Sequence, residues 1–207
     1  MAKLTMTSFM TLDGVMQAPG GPKEDTTGGF THGGWFIPLA DSTFGDFIVG
    51  VFGRAGAFLL GRRTFQIFAG HWPRITDPND PIAGPLNRLP KYVASRTLES
   101  SDWKGTTILR DPVAEIPRIK RELGEKELQV HGSPGFGQTL LRQGLVDELH
   151  IVLAPVTLGS GQKRLFGEGT VPTAFALVAS RTTTSGVVLL TYQPTGKLAY
   201  GDATFAD

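Results

Sequence analysis

Through most of this chain, short apolar segments alternate with segments whose apolar residues recur at helical spacing. Residues 41–55 carry apolar side chains at helical spacing, and residues 57–60 form an apolar run that ends at Gly61. Three successive strands are predicted near the C-terminal end, at residues 148–156, 175–183 and 187–193. Ser185-Gly186 supplies a hairpin turn between the last two. This order predicts an α/β protein with a mixed, mostly parallel sheet, antiparallel C-terminal strands and helices on both faces.

The other predicted elements are short. Strands are predicted at residues 3–9, 92–95, 107–109 and 127–131, and helices at residues 65–68, 112–124 and 138–143. Residues 18–34 and 71–90 read as loops, and the prolines of the second argue against a helix or an inner strand there. A chain of 207 residues has room for one sizeable core. We therefore predict a single domain over residues 1–207, with its core at about residues 3–193.

Composition narrows the possible classes of function. Twenty Lys and Arg side chains balance nineteen Asp and Glu side chains without a basic cluster, so nucleic-acid binding is not expected. The absence of cysteine excludes disulfides and thiolate chemistry, and four histidines without cysteine predict no metal cluster. Neither a signal peptide nor an apolar stretch of bilayer length is visible in the sequence. We expect a cytoplasmic protein that does not enter membranes.

The turn Gly61-Arg62-Arg63-Thr64 follows an apolar strand and opens a short helix. Free N–H groups at the start of a helix attract phosphate, and arginine adds charge-assisted hydrogen bonds. Two interpretations stay open for this segment. It is either a phosphate-binding turn or a simple turn with solvated arginines.

Two further strand ends have similar chemistry. Ser95 and Arg96 lie at the end of the strand at residues 92–95, and a hydroxyl beside an arginine suits a phosphate monoester such as the 2′-phosphate of NADPH. Residues 130–137 form a glycine-rich turn between a strand and a helix, which lets the backbone approach a pyrophosphate. The turn lacks the G-x-G-x-x-G pattern and the acidic partner of a Rossmann fold. Each of these segments could also be a simple polar exit from a strand. Together with the turn at residues 61–64, however, they could all line one edge of the sheet.

The order of these motifs resembles that of the dihydrofolate reductases. The segments that carry this likeness are Thr11-Leu12-Asp13-Gly14, Trp35-Phe36-Ile37-Pro38, Gly61-Arg62-Arg63-Thr64 and Tyr92-Val93-Ala94-Ser95-Arg96-Thr97. The C-terminal half is similar to the reductase domain of the bifunctional riboflavin-biosynthesis enzyme and its stand-alone relatives. The segments concerned are His131-Gly132-Ser133, Gly144-Leu145-Val146-Asp147-Glu148-Leu149, Pro155-Val156-Thr157-Leu158-Gly159-Ser160-Gly161 and Leu165-Phe166.

The resemblance, which spans roughly residues 3–193, implies a three-layer dihydrofolate-reductase-like fold, NADPH as hydride donor and a homodimer. The residues that it implies for the cofactor phosphates are Gly61, Arg62 and Thr64, with Ser95 and Arg96 at the 2′-phosphate. The residues implied around the pyrophosphate and nicotinamide are Gly132, Ser133, Gly135, Phe136 and Gly137. The apolar run at residues 149–156 lies on strands that form the dimer contact in such relatives.

The catalytic group is predicted less directly. Dihydrofolate reductases hold their substrate with a carboxylate in the first helix, and no acid of this chain falls in register there. Asp41 is the first candidate and Asp46 the second, while Asp13 would border the active site. The alternative interpretation of Asp41 is the N-cap of the helix at residues 41–55.

His131 stands where riboflavin-pathway reductases usually have a glutamate. It could donate a proton near neutral pH, although a histidine at a strand end more often bonds only to neighbouring groups. The lysine expected near the exit of the first strand has no counterpart in residues 10–22. Trp35 and Trp72 are candidates to cover a flat heterocycle, or packing anchors.

Together these features predict an NADPH-dependent reductase of a small heterocycle. Its activity would be like that of 5-amino-6-(5-phosphoribosylamino)uracil reductase or of dihydrofolate reductase. The missing carboxylate and lysine leave an alternative, which is a non-catalytic dimeric NADPH-binding module or sensor. We also expect the loop at residues 18–34 to pack poorly, to be mobile without ligand and to order over the active site.

Overall fold

The computed structural model describes residues 1–202 and contains, within them, one eight-stranded sheet. The strands are β1 (Leu4–Thr11), β2 (Ala55–Gly61), β3 (Lys91–Ala94), β4 (Thr106–Leu109), β5 (Glu127–His131), β6 (Glu148–Ala154), β7 (Ala174–Thr182) and β8 (Val188–Gly196). Their order is β4-β3-β2-β5-β1-β6-β8-β7, and the pairs from β4 to β6 are parallel. The pairs β6–β8 and β8–β7 are antiparallel. The predicted mixed sheet with an antiparallel C-terminal edge is confirmed.

Helices cover both faces of this sheet. They are α1 (Ser42–Gly53), α2 (Arg62–Ala69), α3 (Ala83–Arg88), α4 (Pro112–Glu122) and α5 (Pro134–Arg142). On one face, the core side chains are Ile48, Phe52, Phe58, Leu60, Phe65 and Leu86, from α1, β2, α2 and α3. On the other face, they include Leu4, Met6, Ile116, Ile119 and Leu140, from β1, α4 and α5. No helix within residues 1–202 is both long enough and apolar enough to span a bilayer.

Asp41 is the N-cap of α1, as the alternative interpretation of this residue predicted. Asp41 has an extended backbone, and its Oδ1 accepts a hydrogen bond from the Phe44 N–H at 3.0 Å. This bond satisfies one of the N–H groups that have no partner inside the helix. The apolar periodicity that predicted the helix buries Ile48, Val51 and Phe52 against the sheet.

The prediction that residues 71–90 contain no helix is wrong. A single 3₁₀ turn covers Trp72–Arg74, and α3 follows in the same segment. Asp80 Oδ1 accepts from the N–H groups of Ile82 and Ala83, which supports the start of α3. Pro85 lies in the first turn of α3, where a backbone N–H has no helical partner in any case. Prolines in a first turn therefore do not exclude a helix.

Candidate active site

A crevice opens where the strand order changes direction. β2 and β5 are neighbours in the sheet, but α2 after β2 packs on one face and α5 after β5 packs on the other. Helices that leave in opposite directions cannot cover the gap between their strands, so the carboxyl ends of the two strands stay open. The crevice lies at the same sheet edge as the exit of β3, as predicted.

The two strand ends approach each other closely in this crevice. The Gly61 N–H donates to Ser133 Oγ at 3.1 Å, and Ser133 Oγ donates to Thr64 Oγ1 at 2.7 Å. A Cβ at position 61 would lie 2.6 Å from Ser133 Oγ and 3.3 Å from Phe136 Cβ. Ser133 itself has a φ of 60°, which is left-handed and unusual for a residue with a side chain. Only glycine fits at position 61 without moving the neighbouring turn.

Two helix N-termini face the crevice. α2 begins at Arg62, and α5 begins at Pro134 after Ser133, so their first N–H groups have no partner inside either helix. Residues from both starts line the open space, including Thr64 and Gly135. Such N–H groups, with two arginines beside them, fit the phosphate groups of a nucleotide cofactor.

The exit of β3 forms the rim of the site. Ser95 Oγ accepts hydrogen bonds from the N–H groups of Thr97 at 3.3 Å and Leu98 at 2.9 Å, which shapes the turn after the strand. Arg96 is exposed. Arg62 Nη1 donates to Thr97 Oγ1 at 2.8 Å and so connects this turn to the start of α2. Within the described residues, Ala94 lines the cleft while Ser95 and Arg96 lie just outside it.

The crevice is part of a larger cleft of about 630 Å³, which also has an aromatic wall. The aromatic side chains of this wall are Phe9, Phe36, Phe44, Phe52, Phe68 and Trp72. Phe36 packs edge-on against Phe9 and Phe44, each with ring centroids 4.7 Å apart. Trp35 instead anchors a loop, because its Nε1 donates to the Gln17 carbonyl oxygen at 2.8 Å. A wall of this kind suits a flat, largely apolar ligand.

His131 lines the cleft but holds its proton inside the protein. Its ring stacks on Phe52 with centroids 4.6 Å apart, and its Nε2 lies 3.2 Å from Gln129 Oε1. Gln129 Nε2 donates to the Val51 carbonyl oxygen and to Glu127, so its Oε1 must accept from His131. Burial, and to a smaller extent the nearby His150, lower the pKa of His131 to about 3. The ring is therefore neutral near pH 7, and Gln129 takes its one N–H.

The three aspartates proposed as catalytic lie elsewhere. Asp41 caps α1, and its Oδ2 accepts from Thr184 Oγ1 at 2.7 Å; these bonds lower its pKa to about 2. Asp46 is exposed on α1. Asp13 accepts from the Gly159 N–H at 2.8 Å and holds the loop after β6. None of the three lines the cleft formed by residues 1–202.

Three charged side chains that line the cleft were missed by sequence reasoning. They are Glu24 and Asp25 from the loop at residues 18–34, and Lys163 from the segment after β6. Lys163 forms an ion pair with Asp25, and Arg63 Nη1 lies 3.8 Å from the same carboxylate. No local pattern reveals this cluster, because its members are far apart in the sequence. Among the described residues, no group of three His, Cys, Asp or Glu could hold a metal ion.

The loop at residues 18–34 packs better than its composition predicts. Gln17 Nε2 donates to the carbonyl oxygens of Asp25 and Thr27, and Arg63 donates to Thr27 Oγ1 at 2.7 Å. Phe30 is buried against Val15. The expectation that little in this loop could pack is wrong, because Gln17 and Arg63 outside the loop satisfy its polar groups.

Comparisons with known proteins agree with this fold. The family model of the RibD C-terminal domain matches residues 2–189. The uncharacterized protein YyaP of Bacillus subtilis (strain 168) is 29% identical over 189 residues, which are 90% of this chain and 92% of that protein. Two solved structures with the same fold provide further comparison.

The first is a pyrimidine reductase-like protein of Corynebacterium diphtheriae, with a TM-score of 0.61 and 14% identity. The match covers 93% of this chain and 92% of that one. The second is the diaminohydroxyphosphoribosylaminopyrimidine deaminase/5-amino-6-(5-phosphoribosylamino)uracil reductase of Thermotoga maritima, with a TM-score of 0.60 and 14% identity. That match covers 93% of this chain and 56% of the longer protein.

Proposed function

Because the chain belongs to the RibD C-terminal domain family, we propose that it is an NADPH-dependent reductase of a small heterocycle, like the riboflavin-pathway reductases. The crevice between β2 and β5 carries the proposal. There Gly61 and Ser133 bring two helix N-termini together, and an aromatic cleft opens beside them. This arrangement suits a dinucleotide next to a flat substrate.

Residues at the strand ends would bind the phosphates of the cofactor, and the aromatic residues would hold the substrate and exclude water. The N–H groups at the starts of α2 and α5, with Arg62, would hold the pyrophosphate, and Ser95 and Arg96 would meet the 2′-phosphate. NADPH, when bound, supplies the hydride. The aromatic wall would hold the heterocycle flat and keep water from the reacting atoms. The neutral His131 under this wall would add no charge to the site.

Binding and turnover should be measured separately. Trp72 lines the cleft, so we expect NADPH to change the tryptophan fluorescence, and NADH to bind at least ten-fold more weakly. NADPH oxidation would then be followed with 5-amino-6-(5-phosphoribosylamino)uracil, dihydrofolate and other pterins, pyrimidines and quinones. Binding with turnover of any of them supports the reductase. Tight NADPH binding without turnover supports the non-catalytic module, and no NADPH binding contradicts both.

A homodimer in the cytoplasm remains part of the proposal. The apolar run at residues 149–156 does not itself offer a contact surface, because β6 lies between β1 and β8 and is almost wholly buried. Exposed apolar side chains occur instead on β7, where Leu177 and Val178 are each 53% exposed. Sedimentation at micromolar concentration should give a dimer, and a monomer would contradict this part.

A further inference from the structure

Two carboxylates line the cleft, and their surroundings differ. Asp25 is paired with Lys163, with Arg63 close by, so its charge is neutralised where it lies. Glu24 has no Lys, Arg or His partner in the described part of the chain. Its Oε2 accepts a hydrogen bond from the Gly20 N–H at 2.6 Å, and the Gly21 N–H also favours the charged form of the carboxylate. Partial burial of Glu24 raises the pKa of its carboxyl group above the ordinary value.

The cations of the cleft are already engaged. Lys163 is paired with Asp25, and Arg63 binds Thr27 near the same carboxylate. Arg62 binds Thr97 on the rim, beside the helix start that would take the cofactor phosphates. A phosphate on the substrate would therefore draw Lys163 or Arg63 away from Asp25, or compete with the cofactor for Arg62. It would also meet the negative charge of Glu24 in a cleft with a largely apolar wall.

From this distribution of charge we propose that Glu24 selects a planar heterocycle that carries ring N–H donors and no phosphate. The inference rests on the proposed function and deepens it, because it names the class of substrate. The aromatic wall supplies the stacking surface, and Glu24 is the polar group that fixes the orientation of the ring. An ionised carboxylate has about four acceptor sites, so the N–H groups of the loop leave some of them free on Glu24 for such donors. A substrate with a phosphorylated ribose is disfavoured by the same charge.

The test uses a matched pair of probes, 5-amino-6-(ribosylamino)uracil and its 5′-phosphate. Their affinities for the full chain would be measured by titration calorimetry in the presence of NADP⁺, which cannot donate hydride. Both compounds offer the same ring N–H donors to Glu24, and only one carries a phosphate that meets its negative charge. We therefore expect the phosphate-free compound to bind at least about ten-fold more tightly. Tighter binding of the phosphate, or no binding of the phosphate-free compound, overturns the proposal.

The variant Glu24→Gln tests whether Glu24 is the source of the preference for the phosphate-free compound. The amide oxygen can still accept from Gly20 N–H, so the loop should keep its shape, which thermal melting would check. We expect the variant to bind the phosphate-free compound about ten-fold more weakly. The phosphate should bind with little change, because the lost hydrogen bond is offset by the lost repulsion, so that the preference is lost. Glu125→Gln removes an exposed carboxylate outside the cleft and should leave the preference unchanged. An unchanged preference in Glu24→Gln would overturn the role of Glu24.

The outcomes separate this inference from the proposed reductase. If the phosphate-free probe is preferred but NADPH does not bind, the proposed function fails while the substrate class stands. If NADPH binds and the phosphorylated probe is preferred and reduced, the reductase stands while the inference fails. A further variant, Glu24→Ala, should lose affinity for the phosphate-free probe in the same direction. No such loss in that variant would overturn the role of Glu24.

Discussion

The two sides of the cleft are built in different ways. The crevice side is made of contiguous turns, residues 61–64 and 131–137, each at the end of its own strand. The other side combines a loop at residues 18–34, aromatic side chains of several elements, and Lys163. A contiguous turn carries its chemistry in its local sequence, whereas the other side exists only once distant segments have packed. Variants of the two sides should therefore differ in what they lose.

The largest effect is expected at Gly61, where packing is tightest. Gly61→Ala places a methyl group 2.6 Å from Ser133 Oγ, so the turn must move. We expect a loss of about 1–3 kcal/mol in the free energy of unfolding, measured with urea, and loss of NADPH binding. Adding Ser133→Gly should recover part of the stability, and its failure to do so would contradict this packing account.

Gly45→Ala is the matched control for that variant. A Cβ at position 45 meets nothing within 4 Å, and the residue lies inside α1. Alanine has the higher helix propensity, so we expect the variant to gain up to about 1 kcal/mol and to bind NADPH as the parent does. A loss of stability there would mean that the two glycines do not differ as the structure indicates.

The next effect is a pH dependence that arises beneath the aromatic wall. His131 has an ordinary pKa of 6.5 and a folded-state pKa of about 3 because it is buried. Between these values the unfolded chain binds the proton and the folded chain does not, so stability falls as the pH is lowered from 6.5 towards 3. The slope from one such group is at most about 1.4 kcal/mol per pH unit.

Denaturant unfolding at several pH values would measure this slope. His131→Gln should flatten it, although the buried His150, whose pKa is also lowered by burial, contributes in the same direction. His32→Gln changes an exposed histidine outside the cleft and should keep the parent slope. An equal slope in His131→Gln and the parent would exclude His131 as a source.

On the rim, Arg96→Ala tests the choice between the two nicotinamide cofactors. A permanently charged side chain beside Ser95 suits the 2′-phosphate that NADH lacks. We expect NADPH to bind about ten- to a hundred-fold more weakly and NADH nearly unchanged, as followed by fluorescence titration. Arg121→Ala, exposed on α4, is the control. Equal losses for both cofactors would place Arg96 at a shared part of the cofactor or in a structural role.

The smallest effect is expected at Asp41. Asparagine keeps a capping oxygen for Phe44 N–H but weakens the bonds to Thr184 and Ser185. Asp41→Asn should lower the midpoint of thermal unfolding slightly and leave NADPH binding and turnover unchanged. A selective loss of turnover would restore Asp41 as a catalytic candidate, even though it lies outside the cleft.

Local patterns predicted most of the sheet because each strand or helix has a period of its own. The strand at residues 127–131 and the cap at Asp41 were found in this way. One exception was α3, since prolines in its first turn suggested a loop. Asp80, three residues before Ala83, was the available signal for a helix start. Another was α5, which was predicted to start at residue 138 but begins at Pro134.

What the sequence by itself determined is the chemistry at each strand end and the order of the elements. Gly61, Ser133 and the helices that follow them were placed at one edge by pattern and topology alone. Only the tertiary structure decided which charges share the cleft. In the folded chain, Asp41 and Asp13 lie outside the cleft, and His131 donates its N–H to Gln129. Glu24 lines the same cleft as the aromatic wall. Periodicity encodes the face on which a residue lies, whereas the distance between Asp25 and Lys163 depends on how the whole chain packs.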